Sequence, residues 1–200
     1  ITSKFNTKKN FSYLDLNFRK IDFTNHKKIK SFIFKKNFYN NKNKNIHNFD
    51  FLNFSNRLGG KIGINLSKKA IFGWYKVNKK KLGFPWLNDS PSKRLINLLY
   101  NYEYINSSSN IVEKKKLDTI IFFHMQRVLF DFSFKKISEV SSFDIIGYLL
   151  SSLINKKINS RKIEYIKFIV EYQIDKLGMH KSYNILEHSK FINNLNEIRN

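Results

Sequence analysis

The chain has 200 residues, 42% of them hydrophobic, so it is long enough to bury a sizeable core and is not expected to be disordered throughout. It carries 37 Lys and Arg residues against 15 Asp and Glu residues. This net charge of +22 favours a polyanionic partner such as nucleic acid or an anionic membrane surface. The absence of cysteine excludes disulfides, thiolate metal sites and cysteine nucleophiles.

The composition also carries a signal about the genome. The chain contains 20 Phe and 10 Tyr but 7 Gly and 2 Pro, and Lys and Asn are abundant. The common residues have codons rich in A and T, a bias typical of an organellar genome or of a very AT-rich nuclear one. Part of the lysine excess is therefore expected to be mutational, which lowers the weight of any single Lys.

No segment of the sequence predicts a membrane span. A spanning helix needs about 20 mostly apolar residues. The apolar stretch 140–155 is interrupted by Asp144, and the stretch 119–130 contains Arg127. We therefore expect no membrane-spanning helix.

Residues 1–55 form the first segment and hold 12 basic and 3 acidic side chains with aromatic residues interleaved among them. They show no sustained helical period, and the Asn/Lys-rich stretch 40–48 is typical of a loop. We predict an extended basic arm with short strands or turns, whose rings and cations suit stacking on bases or packing into crevices. A disordered extension produced by codon bias is the alternative.

Residues 56–87 form the most informative segment, because they hold eight basic residues and no acidic one. Cations beside a flexible Gly turn and exposed rings can neutralise phosphates and stack on bases or riboses. RNA is favoured over DNA because no helix-turn-helix with a basic recognition helix is evident. A solvated basic face is the alternative. The predicted phosphate contacts are Arg57, Lys61, Lys68, Lys69, Lys76, Lys79, Lys80 and Lys81, and the predicted stacking residues are Phe72, Trp74 and Tyr75.

From residue 90 onward the apolar residues recur with a helical period. The pattern predicts helices over 90–105, 113–130, 141–155, 161–177 and 185–198, with the run 106–110 breaking the first from the second. The chain is thus predicted to be mainly α-helical, a helical bundle behind the basic arm.

Local signals predict how these helices begin and end. Ser90 with Pro91 is expected to start the first helix, and Ser141 is expected to cap the third while Asp144 favours its positive end. Gly178 is expected to stop the fourth helix in the left-handed conformation. Lys93 and Arg94 flank the first turn of a helix whose N-terminal amides favour phosphate, so they are added to the predicted RNA contacts.

The search for catalytic and metal sites finds none, so we predict a protein that is not an enzyme and has no cofactor or metal. The five histidines have no metal-ligand spacing, and His124 on an apolar helix face is expected to be a hydrogen-bonded core or interface residue. The stretch 59–63 lacks the spacing of a nucleotide-binding phosphate loop. An enzyme with unrecognised chemistry is the alternative.

Two stretches resemble a known family. Gly63-Ile64-Asn65-Leu66-Ser67-Lys68-Lys69 resembles the Gly-Val-Asn-Ile-Pro signature, followed shortly by Lys, of bacterial-type small-subunit ribosomal protein thirteen. In that family a helix leads to a Gly-Ile-Gly turn, and Lys81-Leu82-Gly83 stands at the matching distance, 21 positions from Gly63 to Gly83. The later stretch Lys176-Leu177-Gly178-Met179-His180-Lys181 is similar to the family's Arg-Gly-Leu-Arg-His segment.

The resemblance implies a structural component of the ribosomal small-subunit head. Its expected fold is a helix-two-turn-helix-like core, and its expected partners are small-subunit ribosomal RNA, neighbouring ribosomal proteins, a large-subunit bridge protein and transfer RNA. It adds Lys176, His180 and Lys181 to the expected RNA contacts. With the AT-driven composition, it points to the matrix ribosome of a mitochondrion.

The expected organisation is a basic aromatic extension over 1–55, a helical RNA-binding domain over 56–182 and a helical tail over 183–200. Two alternatives remain open. The first is another, lineage-specific, mitochondrial ribosomal protein. The second is a peripheral subunit of an inner-membrane respiratory complex, bound through amphipathic helices to protein or anionic lipid.

Overall fold

A computed structural model of the protein describes residues 44–58, 60–81, 83–182 and 184–199. Within these ranges the protein is mainly α-helical, as predicted, and no helix there is both long and apolar enough to cross a bilayer. The helices are α1 (Lys44–His47), α2 (Phe51–Leu58), α3 (Gly60–Asn78), α4 (Ser90–Tyr100), α5 (Tyr102–Asn106), α6 (Ile111–Phe134), α7 (Ser142–Ile154), α8 (Ser160–Gln173) and α9 (Ile185–Arg199), with short 3-10 turns at Phe84–Trp86 and Ile137–Glu139.

The predicted basic arm meets the structure only at its end. Residues 1–43 lie outside the described residues, but 44–55 belong to α1 and α2 and to the turn between them. Ile46, Phe49 and Leu52 are fully buried in the main core. The prediction of an extended arm with short strands or turns is therefore wrong for the helical residues 44–47 and 51–55. The prediction of a loop over 40–48 is wrong for 44–47. These residues are helical because their apolar side chains pack against a core.

Helix α4 lies at the centre of the main core. It packs against α6 and α7 and also contacts α1, α2, α5 and the 3-10 turn at Phe84–Trp86. Leu95 and Leu98 of α4 are fully buried, and burial of one leucine side chain stabilises a fold by about 1.5–3 kcal/mol. A second, smaller cluster joins the end of α6 to α7 and α8, and α9 packs on α7.

The predicted cap of α7 is confirmed. The Ser141 hydroxyl accepts a hydrogen bond from the Asp144 backbone N–H at 3.2 Å, and the Asp144 carboxylate accepts one from the Ser141 backbone N–H at 3.0 Å. The same carboxylate accepts hydrogen bonds from Lys135 Nζ and from the hydroxyl of Ser92, each at 2.7 Å. Asp144 therefore ties the start of α7 to the end of α6 and to the first turn of α4.

The beginning of α4 differs by one residue from the predicted one. Asp89 occupies the N-cap position without a side-chain hydrogen bond to the helix, and Ser90 is already helical. The Asp89 carboxylate is instead paired with the Lys93 ammonium at 2.7 Å. Pro91 lies in the first turn, as predicted, where its missing N–H leaves no helical hydrogen bond unmade.

Helix α8 ends four residues before the predicted end at 177. The Asp175 carboxylate accepts hydrogen bonds from the backbone N–H groups of Leu177 and Met179 at 2.9 and 2.8 Å. This local bonding offers the backbone an alternative to the helix. Gly178 has a φ of 79°, as predicted for a left-handed position, but it lies in this turn and does not directly end the helix.

Gly63 allows α3 to approach α2 closely. A Cβ atom at this position would overlap the backbone oxygen of Ser55 in α2 and the hydroxyl of Tyr104 in α5. These two groups already form a hydrogen bond, in which the Tyr104 hydroxyl donates to Ser55 at 2.5 Å. Only glycine fits at this crossing without a shift of backbone.

We predict that Gly63→Ala lowers the free energy of unfolding by about 2 kcal/mol, since overpacking outweighs the helix propensity gained from alanine. Urea denaturation measures this change. Asn65→Ala, at an exposed position of the same helix, is the control and should change the value by less than about 0.5 kcal/mol. A Gly63→Ala protein as stable as the wild type would contradict the close packing.

Candidate nucleic-acid interface

Six of the predicted phosphate contacts are exposed, three of them along one side of α3 and three in the loop after it. We name these six residues the lysine stripe. Lys61, Lys69 and Lys76 lie within an arc of about 80° on α3, at about 100° per residue. Along the helix axis they are separated by about 12 and 10.5 Å, at 1.5 Å per residue. The lysine stripe consists of Lys61, Lys69, Lys76, Lys79, Lys80 and Lys81, all of them exposed.

The opposite face of α3 fixes the lysine stripe in place. Its apolar side chains are packed in the main core, and Ala70, Ile71 and Trp74 are fully buried. The sequence analysis found no helix-turn-helix with a basic recognition helix, and the structure places these lysines on α3, which packs against α2. The preference for RNA over DNA stays a prediction.

Lys68 is not part of the lysine stripe, although it stands beside Lys69 in the sequence. Only 5% of the residue is exposed, and its ammonium group donates to the Glu113 carboxylate at 2.8 Å and to the Ser108 carbonyl at 3.0 Å. The hydrogen bond from Lys68 lowers the pKa of Glu113. The prediction that Lys68 contacts phosphate is wrong, because this cation joins α3 to the start of α6.

Arg94 is also a structural residue and not a phosphate contact. It is fully buried, and its guanidinium donates to His124 Nε2 at 2.7 Å, to the Pro85 carbonyl at 3.1 Å and to the His47 carbonyl. The guanidinium carbon lies 4.0 Å from the ring centroid of Trp74 and 4.6 Å from that of Trp86. No carboxylate among the described residues pairs with it, and burial lowers the pKa of Arg94.

The three predicted stacking residues have little ring surface to offer. Trp74 is fully buried and donates its indole N–H to His47 Nδ1 at 2.9 Å, so the prediction that it stacks on a base is wrong. Phe72 is half-buried, and the ammonium of Lys116 lies 4.4 Å from its ring centroid. Tyr75 is half-buried against Phe123 in an edge-to-face contact.

Lys116 is a residue that the sequence did not assign to this surface. It lies in the first turns of α6 and is exposed, and its contact with Phe72 places it beside α3. The run of lysines over 114–116 was visible in the sequence, but nothing there indicates that it meets a helix some 40 residues earlier. The lysine stripe therefore has a cationic neighbour on its α6 side.

The remaining predicted contacts lie elsewhere. Lys93 is half-buried, is paired with Asp89 and lies 4.5 Å from the ring centroid of Phe143. The side chain of Arg57 lies outside the described residues. Lys176, His180 and Lys181 belong to the segment between α8 and α9, away from α3 in the chain.

The segment between α8 and α9 is held by its own contacts. The His180 backbone N–H donates to His188 Nδ1 at 3.2 Å, and the His180 ring contacts Phe191 of α9. The ammonium of Lys181 lies 4.4 Å from the ring centroid of Tyr172. Lys176 and Lys181 are exposed, whereas His180 is half-buried.

His124 is a hydrogen-bonded core residue, as predicted. It is fully buried, and its Nε2 accepts from Arg94, which has no acceptor to offer. Its Nδ1 therefore carries the proton and donates to the Ile120 carbonyl at 2.8 Å. Burial, with the charge of Arg94, lowers the pKa of His124 well below its usual value. In the described part of the chain, no group of His, Asp and Glu side chains could hold a metal ion.

The two stretches that carry the family resemblance have defined positions. The stretch 63–69 lies inside α3, and Gly83 follows that helix with a φ of 97°. The stretch 176–181 lies in the turn between α8 and α9. No protein-family model matches the chain, and neither a curated protein nor a solved structure is detectably similar to it.

Replacing Lys68 by Met should lower the free energy of unfolding by about 1–3 kcal/mol, because the part-buried hydrogen bond from the buried Lys68 ammonium to the Ser108 carbonyl is lost. Lys69→Met, the adjacent and exposed position, should leave this value within about 0.5 kcal/mol. Urea denaturation of the two variants measures both changes. Equal loss of stability in both variants would contradict the different positions of the two side chains.

The buried neutral His124 should make stability depend on pH. Because its folded pKa lies below the unfolded value of about 6.5, the unfolded chain alone takes up the proton as the pH falls below that value. The free energy of unfolding should therefore fall by about 1.4 kcal/mol between pH 7.5 and 5.5 on account of this residue.

Denaturation of His124→Gln at the two pH values measures this contribution, because the variant should lose that part of the pH dependence. His188→Gln is the control and should keep it, since His188 is only half-buried. An unchanged pH dependence in His124→Gln would show that the imidazole is not buried in the neutral form.

Proposed function

We propose that this protein is a structural, non-catalytic component of the small subunit of a mitochondrial ribosome and that its lysine stripe contacts ribosomal RNA. The observation that carries the proposal is the lysine stripe itself: six exposed lysines on a rigid helix and the loop after it. They lie in a stretch, 51–88, that contains no Asp or Glu. A ligand at this surface meets positive charge with no carboxylate from the same stretch to oppose it.

The chemistry of the lysine stripe suits phosphate better than base edges. A lysine ammonium is a compact point charge that binds a phosphate from many directions. An arginine guanidinium, by contrast, has the fork that reads guanine edges. Neutralised phosphates release condensed counterions, which supplies affinity that does not depend on sequence. Contacts of this kind are what a protein needs to hold folded ribosomal RNA.

The second half of the molecule supports contacts with neighbouring ribosomal proteins. Helix α6 presents Phe130 and Phe134, which are 59% and 74% exposed and whose tilted rings are in contact, with their centroids 4.7 Å apart. Leu177 in the turn after α8 and Ile185 at the start of α9 are also exposed. Adjacent exposed apolar side chains, such as Phe130 and Phe134, form the kind of patch that a partner covers. The protein would thus have an RNA-facing side on α3 and protein-facing surfaces on α6 to α9.

Membership of the bacterial-type small-subunit ribosomal protein thirteen family, and with it a position in the small-subunit head, belongs to the same proposal. It is supported by the order of elements: α3, a turn at Gly83, α4, the loop before α6, and then α6. The proposal extends by resemblance to a large-subunit bridge protein and to transfer RNA, for which exposed Lys176 is the candidate contact.

The competing candidate is a peripheral subunit of an inner-membrane respiratory complex. The exposed Ile185 and Leu186 on α9 favour it, since they would suit protein or lipid contact equally well. If the chain is instead another, lineage-specific, mitochondrial ribosomal protein, the lysine stripe would have the same role and only the position in the ribosome would differ.

Co-sedimentation should separate these candidates. After detergent solubilisation we expect the protein to sediment with small-subunit ribosomal RNA and to leave that fraction on ribonuclease treatment. The triple variant Lys61→Gln, Lys69→Gln, Lys76→Gln should be depleted from the fraction, because three phosphate contacts are lost. The salt dependence of its RNA affinity should fall by a slope of roughly 0.7–0.9 per contact.

The matched control is the triple variant Lys156→Gln, Lys157→Gln, Lys167→Gln, which removes the same charge from exposed positions in the loop after α7 and on α8. It should sediment like the wild type. Sedimentation with detergent-resistant respiratory complexes after ribonuclease would contradict the proposal, as would equal depletion of both triple variants.

A further inference from the structure

We infer that the lysine stripe binds base-paired RNA through its phosphates, and does not bind single-stranded RNA through its bases. This inference rests on the proposed function and specifies which form of RNA the site would accept. Three observations support it. The aromatic rings on α3 are buried or in contact with cations, the lysine positions on α3 are rigid, and the side chains that α3 exposes are not suited to reading bases.

The aromatic rings of α3 are occupied within the protein. Proteins that bind single strands without sequence preference use free ring faces on which successive bases stack. Trp74 is fully buried and lies in edge-to-face contact with Trp86 at 5.4 Å. The ring of Phe72 has the ammonium of Lys116 over it, and Tyr75 has that of Lys79 at 5.4 Å from its centroid. A base that stacked on the cation-bearing face of Phe72 or Tyr75 would have to displace an ammonium group, and one that stacked on Trp74 would have to open the core.

The lysine positions are fixed to one another because α3 is packed along its length. Lys61 and Lys76 are separated by about 22 Å along the helix axis. A double helix presents its phosphates in a fixed array, so it can match such a row without being ordered first. A flexible single strand would lose conformational entropy to align with it, and that loss reduces affinity.

The exposed side chains of α3 do not provide base readout. Asn65 is the one amide among them, and none of the described side chains on this surface is an arginine. A helix with its side chains is about 10–12 Å wide, and the deep, narrow major groove of A-form RNA does not admit side chains for reading. The minor groove is wide and shallow. Helix α3 would therefore lie across the surface of the duplex, and its lysines would reach phosphates of both strands. Binding should therefore be largely independent of sequence.

The experiment compares three probes of the same sequence with the full chain: an RNA duplex of about one and a half turns, one of its strands alone, and the matching DNA duplex. Affinity is measured against salt concentration for the wild type and for the triple variant Lys61→Gln, Lys69→Gln, Lys76→Gln. The control is again Lys156→Gln, Lys157→Gln, Lys167→Gln. Far-ultraviolet circular dichroism confirms that each variant is folded.

We expect the lysine-stripe variant to lose at least about tenfold in affinity for the RNA duplex at physiological salt, since three phosphate contacts are removed. Its loss on the single strand should be smaller, less than about threefold, because a flexible strand loses conformational entropy on aligning its phosphates with the lysine stripe and so gains less affinity from it. Comparing the two losses isolates the lysine stripe from any contribution of the remaining basic residues. The control variant should lose little on either probe.

A second variant tests stacking directly. Phe72→Leu keeps an apolar side chain at the half-buried position but removes the ring, so affinity for both RNA probes should be unchanged. A loss confined to the single strand would overturn the inference, because it would show that the ring stacks on bases. An equal or larger effect of the lysine-stripe variant on the single strand would overturn it as well.

Failure of the inference can be told apart from failure of the proposed function. If the lysine stripe serves single-stranded RNA, the protein still binds RNA and only the inference falls. If the lysine-stripe variant loses affinity for the DNA duplex alone, or for no probe, the ribosomal proposal falls with it.

Discussion

The fold depends on a charged group that has been removed from water. The guanidinium of Arg94 is fully buried where α1, α3, α4, α6 and the 3-10 turn meet, and every contact that holds it is neutral. Removing a cation from water costs several kcal/mol, and the acceptors from His124, Pro85 and His47 together with the indole faces offset that cost only if all are in place. The surrounding elements are therefore held to one arrangement, since a shift of any one leaves a buried donor unpaired.

The same constraint divides the basic residues into two populations. Arg94 and Lys68 are internal cations that join helices, whereas the lysine stripe faces solvent on the back of one of the helices they join. The internal cations make the surface possible, because they fix α3 against α4 and α6. The net charge of the chain does not distinguish buried cations that join helices from exposed cations on α3. The hydrogen-bond partners and the burial of each ammonium and guanidinium group distinguish them.

Much of the helical part could be predicted from sequence because it is encoded locally. The apolar period from residue 90 onward gives α4, α6, α7, α8 and α9 within a few residues, and Ser141 with Asp144 caps α7 as their spacing indicates. Helices α1 and α2 were missed because they are short and follow Asn/Lys-rich sequence that is typical of a loop, and α3 was expected only from the family resemblance. The burial of Lys68 and its ion pair could not be predicted, since its partner Glu113 lies 45 residues away in the chain. The core position of His124 was predictable from its apolar helix face, but the identity of its partner was not.

The hydrogen bond from Arg94 to the carbonyl of His47 bears on where the independently folding unit begins. That acceptor lies in α1, and His47 also accepts from the indole of Trp74, so the segment ahead of α2 supplies part of the polar lining of the core. A chain cut at residue 56 would retain the guanidinium and lose two of the groups that satisfy its surroundings, together with the buried rings and aliphatic groups of α1 and α2. The folded core therefore includes α1 and α2, and the charge-based division at 55 and 56 cuts through it.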